Sequence, residues 1–128
     1  MRGLRMPVVG FGLGILGLMA LAWVSLIPLD PGSLPSRHDK LAHLSAYGVI
    51  GAWFGVFVRL RWWPLLWLAL GLFGVGIELA QQRTGYRSFD RWDILTNWTG
   101  ISLGLALLAA PLRYWFIAEV RADSVLRT

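Results

Sequence analysis

The chain has 128 residues, 56% of them hydrophobic and only 15% charged, with a net charge of +5. A soluble domain of this length needs more charge to cover its surface, so an ordinary soluble domain is excluded, and no room is left for a second domain. There is no cysteine, which excludes disulfides, thiolate nucleophiles and Cys-ligated metals. The basic residues do not form the aromatic-interleaved stripe that nucleic-acid binding needs, so the positive charge is read as fixing topology and touching lipid head groups.

Hydropathy predicts an all-α polytopic membrane protein, one bundle of four transmembrane helices occupying residues 1–128. The first span is expected at 8–29. It follows Met-Arg-Gly-Leu-Arg but is too long for the apolar core of a signal peptide, and no Ala-x-Ala site follows, so it is read as a retained helix. Gly10, Gly14 and Gly17 give it a small-residue face for close packing. Pro28, Pro31, Gly32 and Pro35 end it.

The second span is expected at 41–58, with Asp39 and Lys40 at its mouth and Arg59-Leu60-Arg61 at its end. The third runs over 62–82, with Pro64 in its first turn. The polar loop QQRTGYRSFDRW follows. The fourth runs over 93–115. With the N-terminus in the cytoplasm, Arg2, Arg5, Arg59, Arg61, Arg113, Arg121 and Arg127 lie inside. Arg37, Lys40, Arg83, Arg87 and Arg91 lie outside, which accounts for all 12 basic residues. That distribution and the two Arg before the first span favour both termini inside. Trp62, Trp63 and Trp115 then form an inner aromatic belt, and Trp92 belongs to the outer one.

The unusual residues are the polar ones near the span ends. Lys40, His43 and Tyr47 share one face of the second helix, at i, i+3 and i+7. Glu78 and Gln81 share a face of the third with Gly71 and Gly74. Asp93, Asn97, Gly100 and Gly104 share a face of the fourth. Glycine-bearing faces pack against neighbouring helices, so the polar groups are expected to point into the bundle. His43, Glu78 and Asn97 each lie about one turn, roughly 5–6 Å, below the same membrane surface. Arg87, Asp90 and Arg91 lie just above them. The expectation is a polar pocket at the outer end, over a dry inner half around Phe54, Val58, Leu65 and Leu68.

Each residue has a plainer role to set beside this. Asp39 and Asp93 suit helix caps. Lys40 suits a snorkelling anchor, Tyr47 packing, and Gln81 and Asn97 interhelical glue. Glu78 is the hardest to explain away. A carboxylate inside a span costs several kcal/mol unless paired or protonated, and His43, Lys40 or Arg87 are its expected partners. His43, Glu78 and Asp93 are the candidate catalytic groups, the first two for acid–base work. Lys40, Gln81, Arg87, Asp90 and Asn97 are the candidate binding groups, with the two cations suited to an anion. One inward His among scattered carboxylates is a poor donor set, so neither metal nor cofactor is expected.

Three blocks of sequence carry a family resemblance: Asp39-Lys40-x-x-His43-x-x-x-Tyr47, Glu78-x-x-Gln81, and Arg87-x-x-Asp90-x-x-Asp93-x-x-x-Asn97-x-x-Gly100-x-x-x-Gly104. In order and spacing they resemble the VanZ-like family of small bacterial membrane proteins. The resemblance covers residues 39–104, and the four-span layout extends it. It implies a place in the bacterial cytoplasmic membrane and a cell-envelope role, in a family whose named member is associated with resistance to the glycopeptide teicoplanin. It also implies that Lys40, His43, Glu78, Gln81, Arg87, Asp90, Asp93 and Asn97 are the functional set. The expected ligand is an anionic envelope lipid or lipid-linked glycan, bound and in one reading modified. The rival readings are a non-catalytic scaffold glued by its polar cluster, and a small transporter that assembles as a homo-oligomer.

Overall fold

The computed structural model describes residues 5–27, 36–85 and 90–115, together with Val125. Every element among the described residues is helical: α1 Arg5–Leu26, α2 Ser36–Phe57, α3 Trp63–Arg83 and α4 Arg91–Leu103. A 3₁₀ turn, Leu60–Trp62, leads into α3. Beyond Leu103 the fourth helix passes through a π-helical segment, Gly104–Ala109, and returns to α geometry up to Trp115.

Among the described residues, three stretches are long and apolar enough to cross a membrane: Val8–Leu26, Leu60–Arg83 and Arg91–Trp115. They also wear the surface that a bilayer requires, because Val8, Trp23, Leu72 and Leu107 stand more than half exposed. α2 is equally long at 22 residues, but its first turns carry Arg37, Asp39, Lys40 and His43. It begins at Ser36, five residues before the expected start, so Asp39 lies within its first turns.

α2 is the hub of the bundle. It runs along α4 and the π segment on one side and along α1 on the other, while α3 packs against α4. The α2–α4 seam has almost no side-chain thickness. A Cβ on Gly100 would stand 2.6 Å from the Leu44 carbonyl oxygen, and one on Gly51 would stand 3.0 Å from the Ile101 carbonyl oxygen. A Cβ on Gly104 would collide with the Gly48 carbonyl. Without side chains at these positions the two backbones approach closely, which is how helices associate where lipid removes the hydrophobic drive. α1 uses the same device with larger knobs, since Gly10 receives the Phe57 ring, Gly14 the Phe54 ring and Gly17 the Ile50 side chain.

The apolar core gathers Tyr47, Phe54, Leu70, Ile101 and Leu105. Of the residues expected to fill the dry half, only Phe54 is buried; Leu65 and Leu68 face outward, because α3 turns Leu70, Gly71 and Gly74 toward its neighbours instead. At that end Arg113 closes α2. Its Nη1 donates to the Val58 carbonyl at 2.7 Å and the Val56 carbonyl at 2.9 Å, and lies 3.3 Å from the Gly55 carbonyl. These are carbonyls that a helix C-terminus leaves unsatisfied, and a cation there also meets the negative end of the helix dipole. Trp63, expected in an aromatic belt, instead donates its indole N–H between the Gly55 and Val58 carbonyls, at 3.2 and 3.3 Å.

Candidate functional site

At the opposite end, α2, α3 and α4 bring their polar faces together. Lys40 comes from the second turn of α2. Its Nζ donates to Asp90 Oδ2 at 3.0 Å and to Asp93 Oδ1 at 3.2 Å. The Asp90 hydrogen bond is the main cause holding the lysine above its ordinary pKa, and the same bond holds the Asp90 carboxyl below its own. The lysine side chain keeps 38% of its surface, so its charge sits at the rim.

One turn further in, the His43 Nδ1–H donates to Asn97 Oδ1 at 3.0 Å. An amide oxygen can only accept, so this contact puts the imidazole proton on Nδ1. The other ring nitrogen, Nε2, then faces Asp93 Oδ2 at 4.0 Å and can take a proton toward that carboxylate. Asp93 thus stands between Lys40 and His43, with one oxygen toward each.

Glu78 enters from α3 and is 1% exposed. Its expected partners were His43, Lys40 or Arg87. Among the described residues its hydrogen bond is to the backbone of the α4 N-cap, where the Asp90 N–H donates to Glu78 Oε1 at 2.9 Å. Asp90 caps α4 in turn, its Oδ1 accepting from the Trp92 N–H at 2.8 Å. This corrects the expectation that Asp93 caps α4: Asp90, three residues earlier, does so, which frees Asp93 to sit buried in the first turn. The second carboxylate oxygen, Glu78 Oε2, is buried without a hydrogen-bond partner among the described residues. A buried polar atom left unsatisfied costs about 1–3 kcal/mol, more when charged.

Tyr47 shares this condition. Sequence reasoning assigned it to packing, and its ring does pack, nearly parallel to that of His43 at 6.4 Å. Its hydroxyl, however, is buried without a hydrogen-bond partner among the described residues. The signal that could have found it is its spacing, since Tyr47 lies i+4 from His43 on the polar face of α2.

Gln81 takes a different direction. Its Nε2 donates to the Ser25 carbonyl at 2.8 Å, so it ties α3 to the end of α1. Ser25 is a polar partner that sequence reasoning missed. Arg87 lies outside the described residues, and the side chain of Asp39 does too. Lys40, His43, Glu78, Asp90, Asp93 and Asn97 are therefore brought into one cluster. Within it two aspartates already engage the lysine, and no group of three or more His, Asp or Glu with metal-binding geometry occurs among the described residues.

The arrangement can relay or hold a proton at the His43–Asp93 pair, and can present a fixed carboxylate and a phenol beneath it. Compared with known proteins, the chain matches no family model, no curated protein and no solved structure.

Proposed function

We propose that this is a VanZ-like protein of the bacterial cytoplasmic membrane that crosses the bilayer four times, with both termini inside and its polar cluster at the outer surface. There it binds the head group of an anionic envelope lipid or lipid-linked glycan and performs acid–base chemistry on it. The observation that carries the reading is Glu78: a carboxylate 1% exposed, one oxygen fixed by the Asp90 N–H and the other without a hydrogen-bond partner among the described residues. A membrane bundle that needed only glue has no reason to bury half a carboxylate unsatisfied.

In this reading α2 spans from about Leu41 onward, with its charged first turn in the head-group layer. Lys40 and Arg87 take the anion. Lys40 reaches it by exchanging Asp90 for the ligand, which its rim position permits. His43 and Glu78 handle the proton, Asp93 and Asn97 orient His43, and Gln81 holds α1 against α3. An effect on glycopeptide sensitivity would follow indirectly from altered envelope lipids.

A second reading has its own observation. Lys40 is already satisfied by two carboxylates, as a purely structural ion cluster would be. Native mass spectrometry of protein purified from its own membranes separates the two. The binding reading expects a retained anionic lipid that is lost in Lys40→Ala/Arg87→Ala. No retained lipid, with a variant that is merely less stable, leaves the scaffold.

A further inference from the structure

We propose that the groove between α1 and α2, in the half of the bundle that carries the polar cluster, seats one acyl chain of a lipid from the leaflet on that side. The inference rests on reading α2 as crossing the bilayer beside α1, and it is independent of what the polar cluster binds.

The groove has a volume of about 480 Å³, within the range of small-ligand pockets. Gly17 and Leu21 of α1 line it, with Ala42, Ala46, Val49 and Ile50 of α2. Gly17, Val49 and Ile50 also line a second hollow of about 210 Å³, which carries the groove on to Leu13 and Trp53. The sequence opens it by tapering the seam. α1 and α2 run antiparallel, and the notches of α1 grow looser toward the polar end. A Cβ would stand 2.5 Å from the Phe57 ring at Gly10, 2.6 Å from the Phe54 ring at Gly14, and 3.5 Å from the Ile50 side chain at Gly17. Beyond Gly17, α2 offers only the short side chains of Ala42, Ser45 and Ala46, and the seam stands open.

Continuity, depth and a closed floor select the occupant. The groove is continuous with surface that already faces the bilayer, because Leu13, Val49 and Trp53 on its walls are exposed. An empty groove there forfeits the dispersion contacts of its lining, and hydrocarbon is the solvent at that depth. Its mouth at Ala42 is level with His43, so a chain enters at head-group depth. From Ala42 to Trp53 the helix rises about 16 Å, close to half the roughly 30 Å of a hydrocarbon core. Aromatic rings shut the floor. The Trp53 indole N–H donates to the Gly10 carbonyl at 2.8 Å, its ring centroid lies 5.5 Å from that of Phe57, and Phe11 meets Phe54 edge-on at 5.5 Å. A helix of a second copy spans both leaflets and would run into that floor. A chain that ends near the midplane does not, and Trp53 sets how deep its end can go.

The test is photo-crosslinking of the full chain in phosphatidylglycerol vesicles. They are doped with phosphatidylglycerol that carries a diazirine on one chain, either mid-chain or at its end, and adducts are located by peptide mass spectrometry. The expected result is mid-chain adducts on Ala46 and Val49 and chain-end adducts on Leu13 and Trp53, all more frequent than on Leu72, an exposed residue of α3. Ala46→Leu fills the groove with the equivalent of about two methylenes of the chain and lowers those adducts roughly tenfold, leaving the Leu72 adducts unchanged. Gly17→Leu does the same from the other wall if Ala46→Leu does not fold. Adducts spread evenly over the exposed faces, or unmoved by either variant, mean ordinary lipid contact only and overturn the proposal. Groove adducts that vanish as copies are crowded, with cross-links between copies at Ala46, give the groove to a second copy and overturn it too. Depth separates the groove from the spanning reading. Mid-chain and chain-end probes that reach Ala46 and Trp53 alike lay α2 along the surface and overturn both, whereas ordered depths without preference for the groove overturn the groove alone.

Discussion

His43 on α2 and Asn97 on α4, 54 residues apart in sequence, meet at 3.0 Å through the imidazole Nδ1 and the amide oxygen. That one contact fixes the proton on Nδ1 and leaves Nε2 as the nitrogen that faces Asp93. Asn97→Leu should leave Nδ1–H without its acceptor. We expect a stability loss of about 1–3 kcal/mol, read by denaturant titration in micelles. We also expect the His43 proton to move to Nε2, where Asp93 can accept it. Nitrogen NMR resolves this, because the only other histidine of the two is His38. An unchanged tautomer would mean that Asn97 does not set it.

The Lys40–Asp90 bond predicts a pH profile. Asp90 is held below its ordinary value of 3.8, so its contribution is complete above that value and is lost as the pH falls through the lower folded one. Lys40 is held above 10.5, so its contribution is complete below that value and is lost as the pH rises through the higher folded one. Lys40→Met should flatten both flanks, with a modest effect on the plateau because the pair is partly exposed. Thermal midpoints across pH check this, and flanks as steep in the variant as in the wild type would refute it.

The glycine seam separates two kinds of substitution. Gly100→Ala puts a methyl against the Leu44 carbonyl and should cost about 1–3 kcal/mol or more, since backbone cannot step aside as a side chain can. Gly12→Ala meets nothing within 4 Å and should be neutral or stabilising by up to about 1 kcal/mol. Equal effects of the two would show that α2 and α4 do not approach as closely as described.

Arg113→Ala should uncover the last carbonyls of α2. A charge-assisted hydrogen bond contributes about 1.5–3 kcal/mol, and the loss should fall in that range. Hydrogen exchange supplies the local readout, with faster exchange confined to the last turn of α2 and to Trp63. Protection that stays uniform would assign Arg113 to the lipid interface alone.

Glu78→Gln keeps an oxygen for the Asp90 N–H and exchanges the other carboxyl oxygen for an amide NH2 that cannot ionise. Expression and stability should stay near wild type while retention or turnover of the head group falls at least tenfold. A parallel fall in stability would favour the scaffold reading.

Much of the cluster was legible because polar groups are rare in this chain and helical spacing is rigid. Once Lys40 and His43 on α2, Glu78 on α3 and Asp93 and Asn97 on α4 are set on glycine-bearing faces, few mutual arrangements remain. Partners were less legible. Glu78 accepts a backbone N–H at the cap of α4, and the composition of a loop does not show where its amides point. Gln81 looked like part of the cluster from its i+3 spacing to Glu78, yet about 60° of rotation between those positions is enough to send it to Ser25 on another helix. Leu65 and Leu68 were misplaced for a related reason: in a membrane helix the apolar residues lie on every side, so hydrophobicity alone does not distinguish core from lipid face.

The π segment sets the orientation of the helical turns that follow it, 110–115. Ala110 N–H bonds the Leu105 carbonyl, five residues back rather than four, so this turn takes in one residue more than an α-turn holds. In a regular helix one residue is worth about 100° of rotation, and without the extra one Arg113 would swing by that amount away from the α2 carbonyls it now closes. Gly104–Ala109 therefore acts as a phase adjuster between two registers. The first half of α4 is phased to meet the glycines of α2, and the far half is phased to bring a cation back to the same helix. A single-residue deletion anywhere in the segment would leave the polar end intact and unfasten the opposite end, roughly 24–30 Å away by helical rise.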